Sequence, residues 1–214
     1  MLADEAEGGV KVHDVTAPLH EDVDPWPGDV AFVLEATASL RDGASCNVGA
    51  IRTSLHNGTH ADAPLHVLDG APSAADLPLE PFLGPAVVVE RGRALDASGD
   101  ELAEIVPRGH RVLLRSGRRD HRAFPAEVEG VPPAWIRALA GLDVPLLGVD
   151  LPSLDPIRST SLPAHRACLE HGVQILENLV LEDVAPGRYR LLALPLRVEG
   201  GDAAPVRAVL LEDA

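Results

Sequence analysis

Lysine is almost missing from this chain. Lys11 is the only one, so arginine supplies nearly all of the 18 basic residues set against 33 acidic ones. The formal charge is −15, and a surface of that sign repels nucleic-acid phosphates. Cysteine is scarce too: Cys46 and Cys168 match no paired metal-ligand spacing and could close at most one disulfide. Both are expected to be reduced, Cys46 as a buried thiol, in a cytoplasmic protein. No apolar run approaches the roughly 20 residues needed to cross a bilayer, so a soluble globular protein is expected, not a membrane one. The opening Met-Leu-Ala-Asp-Glu-Ala-Glu has neither a basic flank nor an apolar stretch, and no signal peptide is expected there. Repeats, linkers and low-complexity segments are also lacking. The 214 residues divide into a flexible acidic tail over residues 1–9 and one domain over residues 10–214, long enough to bury a core.

What the chain does have is histidine in one place. His56, His60, Asp62 and His66 fall within His-Asn-Gly-Thr-His-Ala-Asp-Ala-Pro-Leu-His. Imidazoles and a carboxylate stabilise a core poorly, but they are good donors for a divalent metal and a proton. Fully extended, this stretch would span roughly 33 Å, too far for one or two ions to bridge. A single helix would send the four groups to different faces, and Gly58 and Pro64 oppose a helix in any case. A looped, Gly- and Pro-punctuated segment would gather them. The functional reading is a metal-dependent hydrolytic site; the plain alternative is a polar surface loop.

Alternation predicts a first strand over residues 10–15, a rigid turn at Pro25-Trp26-Pro27-Gly28-Asp29, and strands over 31–38 and 46–54. Short buried strands are expected over 86–90, 111–114, 144–149 and 173–176, and helices over 101–106, 133–140 and 163–170. Residues 188–198 and 206–211 are expected as long closing strands. Such alternation indicates α/β layering. Two further donors stand near element ends: His165 at a helix start, and Glu177 closing an apolar strand, where an unpaired carboxylate would be costly. The alternatives are a helix-surface histidine and an exposed turn residue. His13, His20, His110, His121 and His171 fit no pattern and receive no chemistry.

Across most of its length the chain resembles the bacterial kynurenine formamidases of the metal-dependent cyclase superfamily. The resemblance rests on Pro25-Trp26-Pro27-Gly28-Asp29, the 56–66 string, Gly148-Val149-Asp150-Leu151-Pro152-Ser153-Leu154-Asp155-Pro156, Leu162-Pro163-Ala164-His165, Ile175-Leu176-Glu177-Asn178 and Ala204-Pro205-Val206-Arg207-Ala208. It implies an α/β, single-domain cyclase-like fold of the swivelling β/β/α type, with a mixed β-sheet core and a few flanking helices. It also implies two divalent ions per chain, zinc first and manganese as the alternative. His56 and His60 would bind one ion, Asp62 would bridge to a second held by His165, and Glu177 would touch both. His66 would be the acid/base histidine and Trp26 a substrate-pocket aromatic. Asn57 occupies a variable position where it could shift selectivity.

The implied reaction is hydrolysis of N-formyl-L-kynurenine to L-kynurenine and formate, in tryptophan degradation, by a cytoplasmic homodimer. Metal-acidified water would attack the formyl carbonyl, and His66 could take a proton from it and return it to the leaving arylamine. Alternatives remain open. His66 could be a ligand and Trp26 a core aromatic. The chain could also be an isatin hydrolase-like enzyme with a single manganese, a polyketide cyclase, or a non-catalytic metal-binding protein on the same scaffold.

Overall fold

A computed structural model describes residues 10–212; the expected tail over residues 1–9 lies outside them. In chain order the elements are β1 (Lys11–Asp14), β2 (Val33–Ala38), β3 (Val48–Arg52), β4 (His60–Asp62), β5 (Leu83–Glu90), α1 (Arg91–Asp96), α2 (Gly99–Ile105), β6 (Arg111–Arg115), α3 (Pro133–Gly141), β7 (Leu146–Val149), α4 (Pro163–His171), β8 (Gln174–Glu177), β9 (Gly187–Leu192), β10 (Ala203–Pro205) and β11 (Val209–Glu212). Nine strands form one sheet in the order β1-β11-β9-β5-β6-β7-β8-β4-β10. The central run from β5 to β8 is parallel and every other pairing is antiparallel.

The parallel strands read as unbroken apolar runs because both of their faces are covered. Successive side chains alternate between two cores. Val87 and Val89 of β5, Val112 and Leu114 of β6, and Leu147 and Val149 of β7 pack with Trp135, Ile136 and Leu139 of α3 and Ala164, Ala167 and Cys168 of α4. Their neighbours Ala86, Val88, Leu113 and Leu146 face the other way, against Phe82, Leu179, Leu191, Ala204 and Leu210. The sheet curls around this second core. Thr16, just past one edge strand, bridges to Leu179, just past β8 near the far edge, and the Val180 amide donates to the Val15 carbonyl at 2.9 Å. The expected mixed sheet with a few flanking helices is therefore present.

Several expectations need correction. The 56–66 segment is not all loop, because His60–Asp62 forms β4, held between β8 and β10. Strand pairing there satisfies buried backbone that a loop would leave without partners. Residues 188–198 do not make one strand. β9 ends at Leu192 and Pro195, which has no N–H to give, makes only an isolated bridge to Val206. Residues 203–212 divide between β10, beside β4, and β11, beside β9. Helix α1 carries no apolar periodicity that would reveal it. Strands β2 and β3 lie apart from the main sheet as a two-stranded arm. Cys46 sits in that arm and is exposed rather than buried.

Candidate functional site

β4 lies inside the sheet with its residues fully buried, and this places the first donors. Its register sets His60 opposite Glu177 of β8 on one side and Pro205 of β10 on the other. Gly58, at φ 64°, makes the preceding turn in the left-handed region that glycine occupies without strain, which brings His56 back over His60. The rings lie 4.9 Å apart. His165 arrives from α4, whose first turn is pinned by Asp155: its carboxylate accepts from the backbone amides of Ala164 and His165 at 3.0–3.1 Å.

Each of three imidazoles has one nitrogen tied outward and the other turned inward. His60 Nδ1 bonds the Gly58 carbonyl at 3.0 Å, His165 Nδ1 meets Asp155 Oδ2 at 2.7 Å, and His56 Nε2 meets Asp202 Oδ2 at 3.0 Å. The free nitrogens converge on Asp62 and Glu177. Asp62 Oδ1 lies 3.2 Å from His56 Nδ1 and 3.3 Å from His60 Nε2, and its Oδ2 lies 3.2 Å from His165 Nε2. Glu177 Oε1 is 3.2 Å from His165 Nε2, and Oε2 is 3.5 Å from His60 Nε2. Outward carboxylates and carbonyls that fix the inner nitrogens are the usual support of metal-bound histidines.

Both Asp62 oxygens are buried without a well-formed hydrogen bond among the described residues, an expensive arrangement unless a cation answers them. Metal–nitrogen bonds of about 2.0–2.1 Å in a tetrahedron separate donors by roughly 3.3 Å, which matches the spacings found here. The donor set therefore fits a divalent metal. His66 stands beside it, its Nδ1 at 3.4 Å from Asp202 Oδ2, and a donor nitrogen of His66 lies within 4.8 Å of Asp62 and His165 donors.

The electrostatics follow from this crowding. Burial opposes charge on His56, yet Asp202 and Asp62 push it up to about 10. Burial likewise opposes charge on His60, which Asp62 and Glu177 raise to about 9. His165 is raised by Asp155, Asp62 and Glu177 against the effect of burial. Asp62 is driven well below its ordinary value, despite burial, by His165, His56 and His60. Two buried carboxylates facing three imidazoles demand positive charge, which ring protons or a divalent cation can supply.

The cluster opens into a cavity of about 480 Å³, within the range that takes a small organic ligand. Trp26 lines it and packs edge-on against Phe124, with ring centroids 5.2 Å apart. The structure thus brings His56, His60, Asp62, His66, His165 and Glu177 together, with Trp26 at the cavity wall. Asn57 lines the same cavity and anchors the arm's base through bonds to the Val30 carbonyl and Thr53 Oγ1 at 3.0 and 2.8 Å.

Sequence reasoning passed over Asp202, Asp155, Arg118 and His121. Asp155 stood inside a quoted string, ahead of a helix start, and could have been found as a cap. Nothing local marks Asp202, which meets His56 from the far end of the chain.

The family described as putative cyclase matches residues 13–156. A kynurenine formamidase of Sphingopyxis alaskensis is 43% identical over 209 residues, covering 95% of this chain and 99% of its own. Another, of Salinibacter ruber, is 46% identical over 190 residues, covering 86% and 90%. Among solved structures, a potential metal-dependent hydrolase with cyclase activity superposes with a TM-score of 0.79 at 30% identity, covering 96% of this chain and 100% of that one. Isatin hydrolase A of Labrenzia aggregata superposes with a TM-score of 0.80 at 25% identity, covering 96% and 94%.

Proposed function

The chain belongs to the cyclase family, and from that premise we propose that it is a kynurenine formamidase, hydrolysing N-formyl-L-kynurenine to L-kynurenine and formate in tryptophan degradation. The observation that carries the chemistry is the Asp62 carboxylate, buried without a well-formed hydrogen bond among the described residues where the inward nitrogens of His56, His60 and His165 meet. With Glu177, these residues are the proposed holders of two divalent ions, zinc first and manganese as the alternative. Ions bound there would supply Lewis-acid polarisation of the formyl carbonyl and would acidify water.

The remaining roles belong to side chains. His66 takes the proton released as water adds to the formyl carbon. It returns that proton to the arylamine nitrogen as the C–N bond breaks, so that a neutral amine and formic acid leave, the acid giving its proton to solvent to become formate. Asp202, beside His66 Nδ1, fixes the ring so that its other nitrogen serves the reacting atoms. Trp26, braced on Phe124, offers an aromatic face to the kynurenine ring.

Assembly as a homodimer in the cytoplasm completes the proposal. The β2–β3 arm supports the dimer: Leu34 and Ile51 pair across it at 58% and 60% exposure, and an isolated two-stranded ribbon is marginal in water unless something packs on it.

The test combines activity and metal analysis on one preparation. N-formyl-L-kynurenine should be hydrolysed with two ions per chain present, chelation should abolish turnover, and re-addition should restore it. Equal or better efficiency on isatin would overturn the substrate, and full activity with one ion or none would overturn the binuclear centre.

A further inference from the structure

A second polar cluster stands in the cavity wall, built from Arg118, His121 and Asn178. Among the described residues, Arg118 is the only arginine that lines the cavity, whose other charged lining groups apart from histidines are the acids Asp24, Asp29, Glu177 and Asp202. Its guanidinium is held in plane by three bonds: Nε to the Asp120 carbonyl at 2.9 Å, Nη1 to Asn178 Oδ1 at 3.1 Å, and Nη2 to the Ala123 carbonyl at 3.0 Å. Asn178 is itself fixed. It sits at φ 55°, donates its amide to the Leu151 carbonyl at 2.9 Å and accepts from Thr59 Oγ1 at 2.6 Å. A guanidinium has five N–H donors, so these three bonds leave one donor on each terminal nitrogen without a partner among the described residues, and paired guanidinium donors suit a carboxylate.

His121 adds the second observation. Both of its ring nitrogens are buried and neither has a hydrogen-bond partner among the described residues. Burial, then the Arg118 charge, holds it below the ordinary histidine value, so at neutral pH the ring offers one donor and one acceptor. A half-buried imidazole whose two shielded nitrogens are both unanswered among the described residues, on a cavity wall, leaves room for a ligand to satisfy them. On a chain of net charge −15, an anionic arm has few other places to settle away from the metal centre.

We propose that Arg118 and His121 form the subsite for the α-carboxylate on the substrate's amino-acid arm, setting a preference for aryl formamides that carry such an arm over those that do not. This rests on the formamidase reading and adds to it the residues that read the end of the substrate remote from the formyl group. Asn178 acts as a positioning residue, through Arg118.

The experiment compares wild type, Arg118→Gln and His121→Leu on N-formyl-L-kynurenine and on formanilide, which has no carboxylate. Loss of a charge-assisted pair should lower the ratio of kcat/KM between the two substrates by ~10-fold or more for Arg118→Gln, expressed in KM, and by ~3–10-fold for His121→Leu. Calorimetry with L-kynurenine and its decarboxylated amine gives a readout independent of turnover: wild type should favour L-kynurenine, and each variant should lose that preference. An equal fall on both substrates would make Arg118 a staple of its loop and overturn the proposal, as would an unchanged preference. If wild type binds L-kynurenine selectively but does not hydrolyse the formamide, the formamidase reading falls and the subsite stands. If His121→Leu hydrolyses and binds with wild-type selectivity, the subsite falls alone.

Discussion

His66 is the residue on which ligand and acid/base readings part. It lies close enough to Asp62 and His165 to share an ion and close enough to Asp202 to be held by it. His66→Ala should leave metal content near normal while lowering turnover by about 10²-fold or more, the usual loss for a missing general acid/base. Elemental analysis beside single-substrate kinetics checks it, and an emptied site would make His66 a ligand. The two cysteines give a second contrast. Burial pushes the Cys168 thiol up to about 12, whereas Cys46 is exposed. Alkylation of the native protein near pH 8 should therefore label Cys46 alone, read by mass spectrometry. Because the folded value of Cys168 stands above the unfolded one, its contribution to stability is complete below about pH 9 and is lost as pH rises towards 12; Cys168→Ala should flatten that alkaline decline. At this scale the sequence was legible where donors were crowded together, as at His56, His60, Asp62 and His66. Asp202 was illegible because its partner His56 lies far along the chain, and His121 because only the folded loop sets it in the cavity wall.

The central strands show how little room the site's scaffold has to adjust. Gly148, in the middle of β7, has no unusual backbone angle; what it needs is space. A Cβ there would fall 2.5 Å from Leu113 Cδ2 and 2.8 Å from Leu179 Cδ1. Gly148→Ala should destabilise by about 1–3 kcal/mol, as overpacking does, measurable by urea unfolding, with a fall in activity because β7 carries β8 and Glu177 beside it. An undisturbed midpoint would refute it. The strands with apolar runs, β5 to β8, and helices α3 and α4 were readable from the sequence to within a few residues, since burial on both faces and an amphipathic stripe leave direct patterns. β4 was not, because a three-residue strand made of His-Ala-Asp has no β-forming composition and exists only through the neighbours that pair with it. For the same reason, residues 203–212 could not be divided between two partners in advance.

For the whole molecule, the exposed arm gives the assembly its test. Wild type should run as the proposed dimer in light scattering, and Leu34→Asp combined with Ile51→Asp should run as a monomer with a lowered thermal midpoint; a monomeric wild type would overturn the dimer, and a dimeric variant would place its interface elsewhere. Fold class was legible from the alternation of elements, whereas the curl that brings Thr16 to Leu179 depends on sheet twist and on contacts that no local window contains. That curl, with the pairing of His60 to both Glu177 and Pro205, also orders events in time. While the chain is being made, the first three proposed ligands leave the ribosome more than a hundred residues before His165, Glu177 and Asp202. Pairings so distant form late and slowly. A nascent chain stopped after β7 would hold three of the five proposed ligands, two of them, His60 and Asp62, on a strand with neither neighbour in place. For the proposed metal centre, loading would then be an act of the finished polypeptide, and the free metal around it at the moment of release, rather than during synthesis, would set which ion it takes.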